Sequence, residues 1–282
     1  MIVPVDTLFE EDRMSANESS AVKQDSARVR GREHIRRHEK PRLLLSTTVT
    51  ADSKDVTWQD TLRLPARRRP RSRQHVIAPA GNQSLSYLVA KRTLDVAGAA
   101  FLLLLLSPLL LAVFTILTIT TKGHPIFAQE RLGYLGLPFR LYKFRTMRLD
   151  AEKIRHQIQN EKDGPIFKNH QDPRVTRIGR LLRCTSLDEA PQLINVLCGQ
   201  MSLVGPRPPL ATEVAQYEPW QRIRLAVKPG LTCLWQVSGR SEIGFHRWML
   251  MDSWYVKHQN LTTDLVLLIR TPWAILTRRG AY

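Results

Sequence analysis

An uncharged stretch from Val96 to Thr121 constrains the fold of this chain more than any other feature. It includes the unbroken leucine run Leu102–Leu106 and exceeds the roughly 20 apolar residues that a helix needs to cross a bilayer. The stretch therefore predicts a membrane segment. Ser107 and Pro108 lie at its centre, where proline removes a backbone hydrogen bond and bends a helix.

The residues around this stretch leave its topology open. Lys91 and Arg92 precede it and Lys122 follows it, and cationic flanks favour the cytoplasmic side of a membrane. A kinked, re-entrant hairpin that enters and leaves by one face satisfies both flanks, whereas a single spanning helix is the default for such a run. The residues alone give the two topologies equal weight. We also expect Arg92 and Asp95, three positions apart, to pair at the interface.

The charge of the chain limits the class of its partners. Its 282 residues carry a formal charge of +17, which indicates anionic partners such as phospholipid head groups, nucleic acid or phosphorylated substrates. Only 7% of the residues are aromatic, and no arginine-rich segment is interleaved with stacking rings, which argues against nucleic acid. The three cysteines show no metal-ligand spacing, so we expect reduced thiols in the cytosol.

Three regions follow from the changing composition along the chain. Residues 1–83 are polar and basic, with too little apolar surface to offset the entropy of ordering them, so we expect a disordered extension. Residues 84–122 contain the membrane segment. Residues 123–282 alternate short strand patterns with amphipathic helical patterns, which predicts a compact domain of mixed, helix-rich α/β class.

Several elements of this domain can be placed. Two strands, 125–129 and 139–145, form a hairpin, and Lys143 and Arg145 share one face of the second because side chains alternate along a strand. An amphipathic helix is predicted next, on the spacing of Met147, Ala151, Ile154 and Ile158. A helical stretch with arginine at every third position follows, which is either a solvated face or a cradle for an anion: Arg174, Arg177, Arg180 and Arg183.

Two further helices are predicted near the C-terminus. Residues 245–257 and 261–276 combine tryptophan and apolar side chains with flanking Lys and Arg, and neither is apolar enough to span a membrane. Such helices suit the head-group plane of a bilayer. Ordinary packing against the core of the domain is the alternative.

Two adjacent acids, Asp188 and Glu189, lie at the start of a predicted helix. An ionised aspartate can attack phosphorus covalently, and a neighbouring carboxylate can hold a divalent metal or orient the leaving group. The alternative is a capping box, in which Ser186 caps the helix and Glu189 bonds back to its amide. Downstream, prolines flank Arg207 and restrict its pose, which suits a phosphate oxygen, although a surface turn with an incidental arginine has the same pattern.

Six motifs in order identify a resemblance that covers Ser84 to Tyr282. They are Lys143–Met147, Asp172–Thr176, Thr185–Glu189, Gly205–Pro208, Lys228–Thr232 and Trp235–Arg240. Together they closely resemble the bacterial sugar transferase family, the monotopic phosphoglycosyl transferases that start exopolysaccharide and O-antigen synthesis. The resemblance implies a small catalytic domain on a re-entrant membrane helix broken at a Ser-Pro pair, here Ser107 and Pro108.

The resemblance also implies a reaction and its residues. Hexose 1-phosphate passes from a UDP-sugar to undecaprenyl phosphate through a covalent phosphosugar on Asp188, and UMP is released. Glu189 is then the partner of Asp188, and the two acids are the expected Mg²⁺ ligands. The diphosphate or lipid phosphate is held by Lys143, Arg145, Arg183 and Arg207, and the nucleotide side includes Gln236 and Arg240.

The partners implied are the UDP-sugar, undecaprenyl phosphate and the lipids of the bacterial inner membrane, with the domain at the cytoplasmic face. Glucose and galactose are the favoured hexoses. The sequence leaves the oligomeric state open, a homodimer included. A UDP-sugar hydrolase and a membrane-tethered basic binding module are the alternative functions, and the acid pair argues against the latter because a binding module gains nothing from acids in a cationic face.

Overall fold

The computed structural model describes residues 83–277, so the predicted extension up to residue 82 and the terminal residues 278–282 lie outside the described part. The helices and strands run in the order α1 (Leu85–Thr120), β1 (Ile126–Leu132), β2 (Pro138–Phe144), α2 (Arg177–Cys184), α3 (Gln192–Leu197), β3 (Ser202–Val204), α4 (Ala211–Val214), β4 (Gly230–Thr232), α5 (Leu234–Val237), α6 (Phe245–His258) and α7 (Leu261–Leu276). Short 3₁₀ turns connect several of them. The predicted mixed, helix-rich α/β class is confirmed.

The uncharged stretch forms the greater part of α1, a helix of 36 residues that Ser84 caps by accepting from Tyr87 N. Within residues 83–277 it is the one helix long and apolar enough to cross a membrane. Pro108 lies inside the helix, and the Ser107 hydroxyl donates to Leu104 O at 2.7 Å. Threonine hydroxyls in the last turns also donate to carbonyls within the helix, so these polar groups are satisfied without water.

Both ends of α1 contact the same domain. Near its start, Asp95 is buried and accepts a hydrogen bond from Ser202 of β3. Near its end, Val113 and Leu117 belong to an apolar cluster that also contains Phe144 of β2 and Leu182 of α2. Between these contacts the helix is largely exposed, with Leu104 75% and Leu111 67% accessible. The re-entrant topology stays a prediction.

Two small sheets form the framework of the domain. Strands β1 and β2 pair antiparallel from Ile126↔Phe144 to Leu132↔Pro138, which confirms the predicted hairpin. Strands β3 and β4 pair parallel. The chain leaving β3 passes so close to β4 that a Cβ on Gly230 would lie 2.0 Å from Gly205 N, so this crossing requires glycine.

The amphipathic helix predicted over 147–158 is wrong. This segment consists of turns and one short 3₁₀ turn, Arg155–Gln157. Its first residues pair with a distant part of the chain, because Met147 forms a β-bridge with Val175 and Arg148 N donates to Arg174 O at 2.9 Å. These pairings commit the backbone groups that would start a helix.

The periodic arginines do not form one stripe. Helix α2 begins at Arg177, and Thr176 caps it by accepting from Gly179 N. Arg174 lies before the helix in a buried ion pair with Asp172. Arg177 and Arg180 are exposed, whereas Arg183 is partly buried, so the solvated-face interpretation holds for only part of the series.

The two C-terminal helices differ in their surroundings. Helix α6 buries both of its methionines and three of its four aromatic side chains, Trp248 and Tyr255 among them, so it packs against the core and the alternative interpretation holds there. Helix α7 instead leaves Ile269, Trp273 and Leu276 between 72% and 75% exposed. An open apolar face of this kind suits an interfacial helix.

Candidate active site

The acid pair lies in a sharp change of chain direction between α2 and α3. Ser186 has a positive φ of 58°, the left-handed region that non-glycine residues rarely adopt. A 3₁₀ turn, Leu187–Glu189, follows, and α3 begins after Pro191. The capping box, the alternative interpretation of the acid pair, is wrong, because the Ser186 side chain makes no capping bond and Glu189 bonds to Lys143 instead. This turn directs both acids toward one cleft.

All eight residues predicted to act in catalysis or substrate binding line this cleft, whose volume is about 430 Å³. They come from β2, α2, the acid-bearing turn, the loop after β3, and the segment from α5 onward. They are Lys143, Arg145, Arg183, Asp188, Glu189, Arg207, Gln236 and Arg240. The structure therefore brings together residues that span almost a hundred positions of the sequence.

Glu189 is the more strongly paired of the two acids. Lys143 Nζ donates to Glu189 Oε1 at 2.7 Å, and a guanidinium nitrogen of Arg207 lies 3.6 Å from the same oxygen. Burial opposes ionisation of Glu189, but Lys143 and Arg207 outweigh it and lower the pKa of this carboxyl to about 2. Glu189 is thus a permanently ionised side chain near neutral pH.

Asp188 has the opposite environment. Burial and the charge of Glu189 raise its pKa, Lys143 and Arg183 oppose both effects, and the resulting pKa is about 6. An aspartate with this pKa is ionised at neutral pH but is less strongly stabilised as an anion than its neighbour. Such a carboxylate suits nucleophilic attack on phosphorus.

The remaining predicted residues differ in how many donors they keep for a ligand. Arg183 donates through Nε to Thr146 Oγ1 at 3.0 Å. Arg145 donates to two backbone carbonyls, His124 O at 2.7 Å and Ile126 O at 3.4 Å. More donors of Arg145 than of Arg183 are therefore engaged within the protein. Arg240 lies 3.5 Å from the Ser186 hydroxyl, and thereby contacts the turn that carries the acids.

The backbone at Arg207 is held by residues that were not identified from the sequence. Its carbonyl accepts from Arg224 at 2.8 Å, and Arg224 forms a buried ion pair of 2.8 Å with Asp252 of α6. Arg131 donates to the neighbouring Pro208 O at 3.2 Å. A lone acid among the buried side chains of α6 was the signal that could have revealed Asp252.

Asn195 is a second missed residue. It is fully buried in α3, where its amide donates to Arg140 O at 2.7 Å and accepts from Tyr142 N at 3.1 Å. These bonds fasten the helix that follows the acid pair to the edge of the strand that carries Lys143. A polar residue on the buried face of a short helix was the available signal.

Lys168 also lines the cleft, and no pattern in the sequence indicated it. Burial and the neighbouring charges of Arg207 and Lys162 together lower its pKa to about 7. Binding of an anion beside this amine would favour its protonated form.

The donor set fits Mg²⁺ in one particular way. Among residues 83–277, no group of three or more His, Cys, Asp or Glu side chains could form a protein cage for a metal. Asp188 and Glu189 supply two adjacent carboxylates, and Mg²⁺ is commonly bound by one or two carboxylates together with substrate phosphates. The acid pair therefore fits a metal that arrives with a diphosphate.

Residues 86–278 match the family model described as bacterial sugar transferase. Because this match covers more than half of the chain, the protein belongs to the bacterial sugar transferase family. The predicted membership of this family is confirmed.

Three relatives illustrate the range of the similarity. The undecaprenyl-phosphate galactose phosphotransferase of Salmonella typhimurium is 41% identical over 202 residues, which are 68% of this chain and 41% of that protein. The UDP-glucose:undecaprenyl-phosphate glucose-1-phosphate transferase of Klebsiella pneumoniae is 36% identical over 203 residues, 69% of this chain and 42% of that protein. The exopolysaccharide production protein ExoY of Rhizobium meliloti is 37% identical over 200 residues, 69% of this chain and 88% of that protein.

The lengths of these relatives differ from that of the aligned region. The chain spans less than half of the length of several curated relatives that it matches, the Salmonella and Klebsiella proteins among them. It spans most of the length of ExoY.

Proposed function

We propose that this protein transfers hexose 1-phosphate from a UDP-sugar to undecaprenyl phosphate and releases UMP, as the first step of exopolysaccharide synthesis. The observation that carries the proposal is the convergence of the two predicted acids and the five predicted cations on one cleft. The relatives named for glucose and galactose transfer support the choice of substrates. A pure binding site for anions would gain nothing from Asp188 and Glu189.

In the first half-reaction, a carboxylate oxygen of Asp188 attacks the sugar-bearing phosphorus of the UDP-sugar. The bond from this phosphorus to the bridging oxygen breaks, and UMP leaves with that oxygen. Arg183, Arg207 and Arg240 offset the negative charge of the diphosphate as the carboxylate approaches. Glu189 stays ionised and holds Lys143 beside the reacting groups.

In the second half-reaction, a phosphate oxygen of undecaprenyl phosphate attacks the same phosphorus, and the bond to Asp188 breaks. The carboxylate is regenerated, and the hexose now carries a diphosphate link to the lipid. The two steps share one phosphate subsite, which is the basis for a ping-pong order.

The position of the acid pair relative to α1 supports a lipid acceptor. Leu187, directly before Asp188, packs against the apolar cluster that contains Val113 and Leu117 of α1. A polyprenyl tail beside the exposed middle of α1 could therefore stay in the bilayer while its phosphate reaches Asp188. Contact of both ends of α1 with one domain supports a re-entrant path, with the domain at the cytoplasmic face of the inner membrane.

A bound Mg²⁺ would supply charge neutralisation for the diphosphate and for the leaving UMP. Asp188 and Glu189 are the residues that would hold it. Lys143, Arg183 and Arg207 provide cationic charge in the same cleft, so the protein itself contributes to that neutralisation.

The test is UMP release from a panel of UDP-sugars by protein held in nanodiscs, with Mg²⁺ and with or without undecaprenyl phosphate. We expect steady turnover for one donor only when the lipid is present, and none for the Asp188→Asn variant. Steady release without lipid would instead identify a UDP-sugar hydrolase. No release from any donor by folded protein would contradict the proposal and favour a membrane-tethered binding module.

A further inference from the structure

The charged turn of α1, defined here as Arg92 and Asp95, does not form the ion pair expected from its spacing. Arg92 donates to Val196 O at 2.7 Å and to Leu197 O at 2.8 Å. Asp95 accepts from the Ser202 hydroxyl at 2.9 Å and from Leu203 N at 2.8 Å. The two charges of this turn therefore contact different segments of the catalytic domain.

The segment bound by Asp95 leads directly to Arg207. Ser202 and Leu203 belong to β3, and the chain passes from β3 through Gly205 and Pro206 to Arg207. Little slack exists on this path, because Gly205 N donates to Thr232 O at 3.0 Å and Gly230 N donates to Pro206 O at 2.9 Å. A shift of β3 would therefore move the backbone that presents Arg207.

The segment bound by Arg92 is the helix that follows the acid pair. Val196 and Leu197 are the last residues of α3, where carbonyl groups lack partners within the helix and a cation is favourable. The helix has only six residues and begins three positions after Glu189. A displacement of its end would therefore reach the acids with little attenuation.

We propose that the charged turn of α1 positions the reacting groups: Asp95 sets the place of Arg207 through β3, and Arg92 sets the place of the acid pair through α3. The inference rests on the proposed function, since positioning matters only if these groups act on a phosphoryl substrate. Arg92 and Asp95 touch no substrate and are positioning residues. Insertion of α1 and assembly of the cleft are then one structural event.

The first test compares three variants of one helical segment. Asp95→Ala removes the acceptor and leaves two buried donors unpaired, whereas Asp95→Asn keeps an acceptor oxygen of the same reach. Thr93→Ala, an exposed position on the same helix, is the matched control. We expect kcat/KM to fall by about ten- to a hundredfold in Asp95→Ala, because small misplacements of reacting groups cause losses of this size. Asp95→Asn and Thr93→Ala should remain near wild type.

A double-mutant cycle separates positioning from a general loss of structure. If Asp95 acts through Arg207, Asp95→Ala should cost little in an Arg207→Ala background. Full additivity of the two losses would overturn this half of the proposal. For Arg92, we expect Arg92→Ala to lower kcat with little change in KM for the donor, and Arg92→Lys to recover part of the rate. Equal rates for Arg92→Ala and wild type would overturn the other half.

Hydrogen exchange in nanodiscs makes the test independent of turnover. Amides of residues 202–207 should exchange faster in Asp95→Ala than in Thr93→Ala, and unchanged exchange there would overturn the proposal. Wild-type protein that releases no UMP would contradict the proposed function alone, because hydrogen exchange does not depend on turnover and would still test the contact made by Asp95. If Asp95→Ala does not fold, Ser202→Ala removes one of the two donors, and it should shift exchange and kcat/KM in the same direction.

Discussion

Lys143 Nζ lies 2.7 Å from Glu189 Oε1, so the cation that β2 brings to the cleft is committed to the second acid of the pair. Against the effect of burial, this contact and Arg207 hold the pKa of Glu189 at about 2. For Asp188 burial is the largest influence, and the pKa of this carboxyl is raised to about 6. Two adjacent carboxyl groups thus acquire different protonation behaviour.

The first prediction concerns the pH dependence of turnover. Because the proposed mechanism requires an ionised Asp188, kcat/KM should fall as the pH drops through about 6, the raised pKa of Asp188. Glu189→Gln removes a negative charge that raises this pKa, so its acid limb should move to lower pH. Lys143→Ala removes a positive charge that lowers this pKa, so its acid limb should move to higher pH.

Profiles of kcat/KM against pH for the three proteins check these shifts, even though we expect Glu189→Gln to lose much of its activity. Exposed Lys257 offers a control, since Lys257→Ala removes a positive charge from an exposed position on α6. Shifts of the same sign in Glu189→Gln and Lys143→Ala would contradict the assignment of Asp188 as the group that titrates.

The second prediction concerns Asp188→Asn. The substitution is nearly isosteric and removes the proposed nucleophile, so turnover should fall by about a thousandfold or more while the fold is retained. Wild-type protein that is incubated with a radiolabelled UDP-sugar and then denatured should carry label on the peptide that contains residue 188. The variant should not. Labelling of the variant at wild-type level would exclude the covalent route through Asp188.

The same variant makes a third prediction, on stability. The folded-state pKa of Asp188 lies above its ordinary value of 3.8, so ionisation of this group costs folding free energy. This cost is absent well below pH 3.8, grows as the pH rises toward about 6, and is constant above it. Asp188→Asn should therefore melt at or above the wild-type temperature at pH 7, with a difference that shrinks toward pH 4.

Three of the proposed site residues could be selected from the sequence because each lies in a locally distinctive setting. Asp188 and Glu189 are adjacent, and Arg207 lies between prolines. Their supports could not be predicted, because Asn195 and the pair Arg224–Asp252 act through contacts with strands and loops far along the chain. Local patterns are uninformative about such partners.

The incorrect predictions have the same origin. The periodic apolar residues from Met147 to Ile158 suit a helix, but a β-bridge to Val175 takes the backbone at its start. The capping box at Ser186 is locally plausible, but Lys143 offers Glu189 a charged partner. In each case a contact made by the tertiary fold replaced a favourable local arrangement.

The fourth prediction concerns the buried pair beneath Arg207. Arg224 and Asp252 are each only 1–3% exposed, so removing the acid leaves an unpaired charge in the core. Asp252→Ala should lower the free energy of unfolding by about 3–5 kcal/mol, the usual cost of breaking a buried ion pair on one side. Denaturant unfolding in detergent measures the change, with Lys257→Ala on the same helix as the control. A loss no larger than that of the control would mean that the pair adds nothing to stability.

The fifth prediction concerns the path of α1. The helix has 36 residues, roughly 54 Å at 1.5 Å per residue, and both of its ends contact one domain. In a background without Cys184 and Cys198, cysteines at exposed Ser84 and His124 should both be shielded from an impermeant maleimide in intact cells. Both should react after permeabilisation.

Pro108→Ala tests the cause of this topology. Alanine restores the backbone hydrogen bond that proline omits and favours a straighter helix. A straight apolar helix of this length can cross the roughly 30 Å core of a bilayer, so one of the two cysteines should become reactive in intact cells. Labelling of one end in the parent protein would instead establish a spanning helix. The domain would then have to contact both ends of α1 from one side of the membrane, which a straight span does not permit.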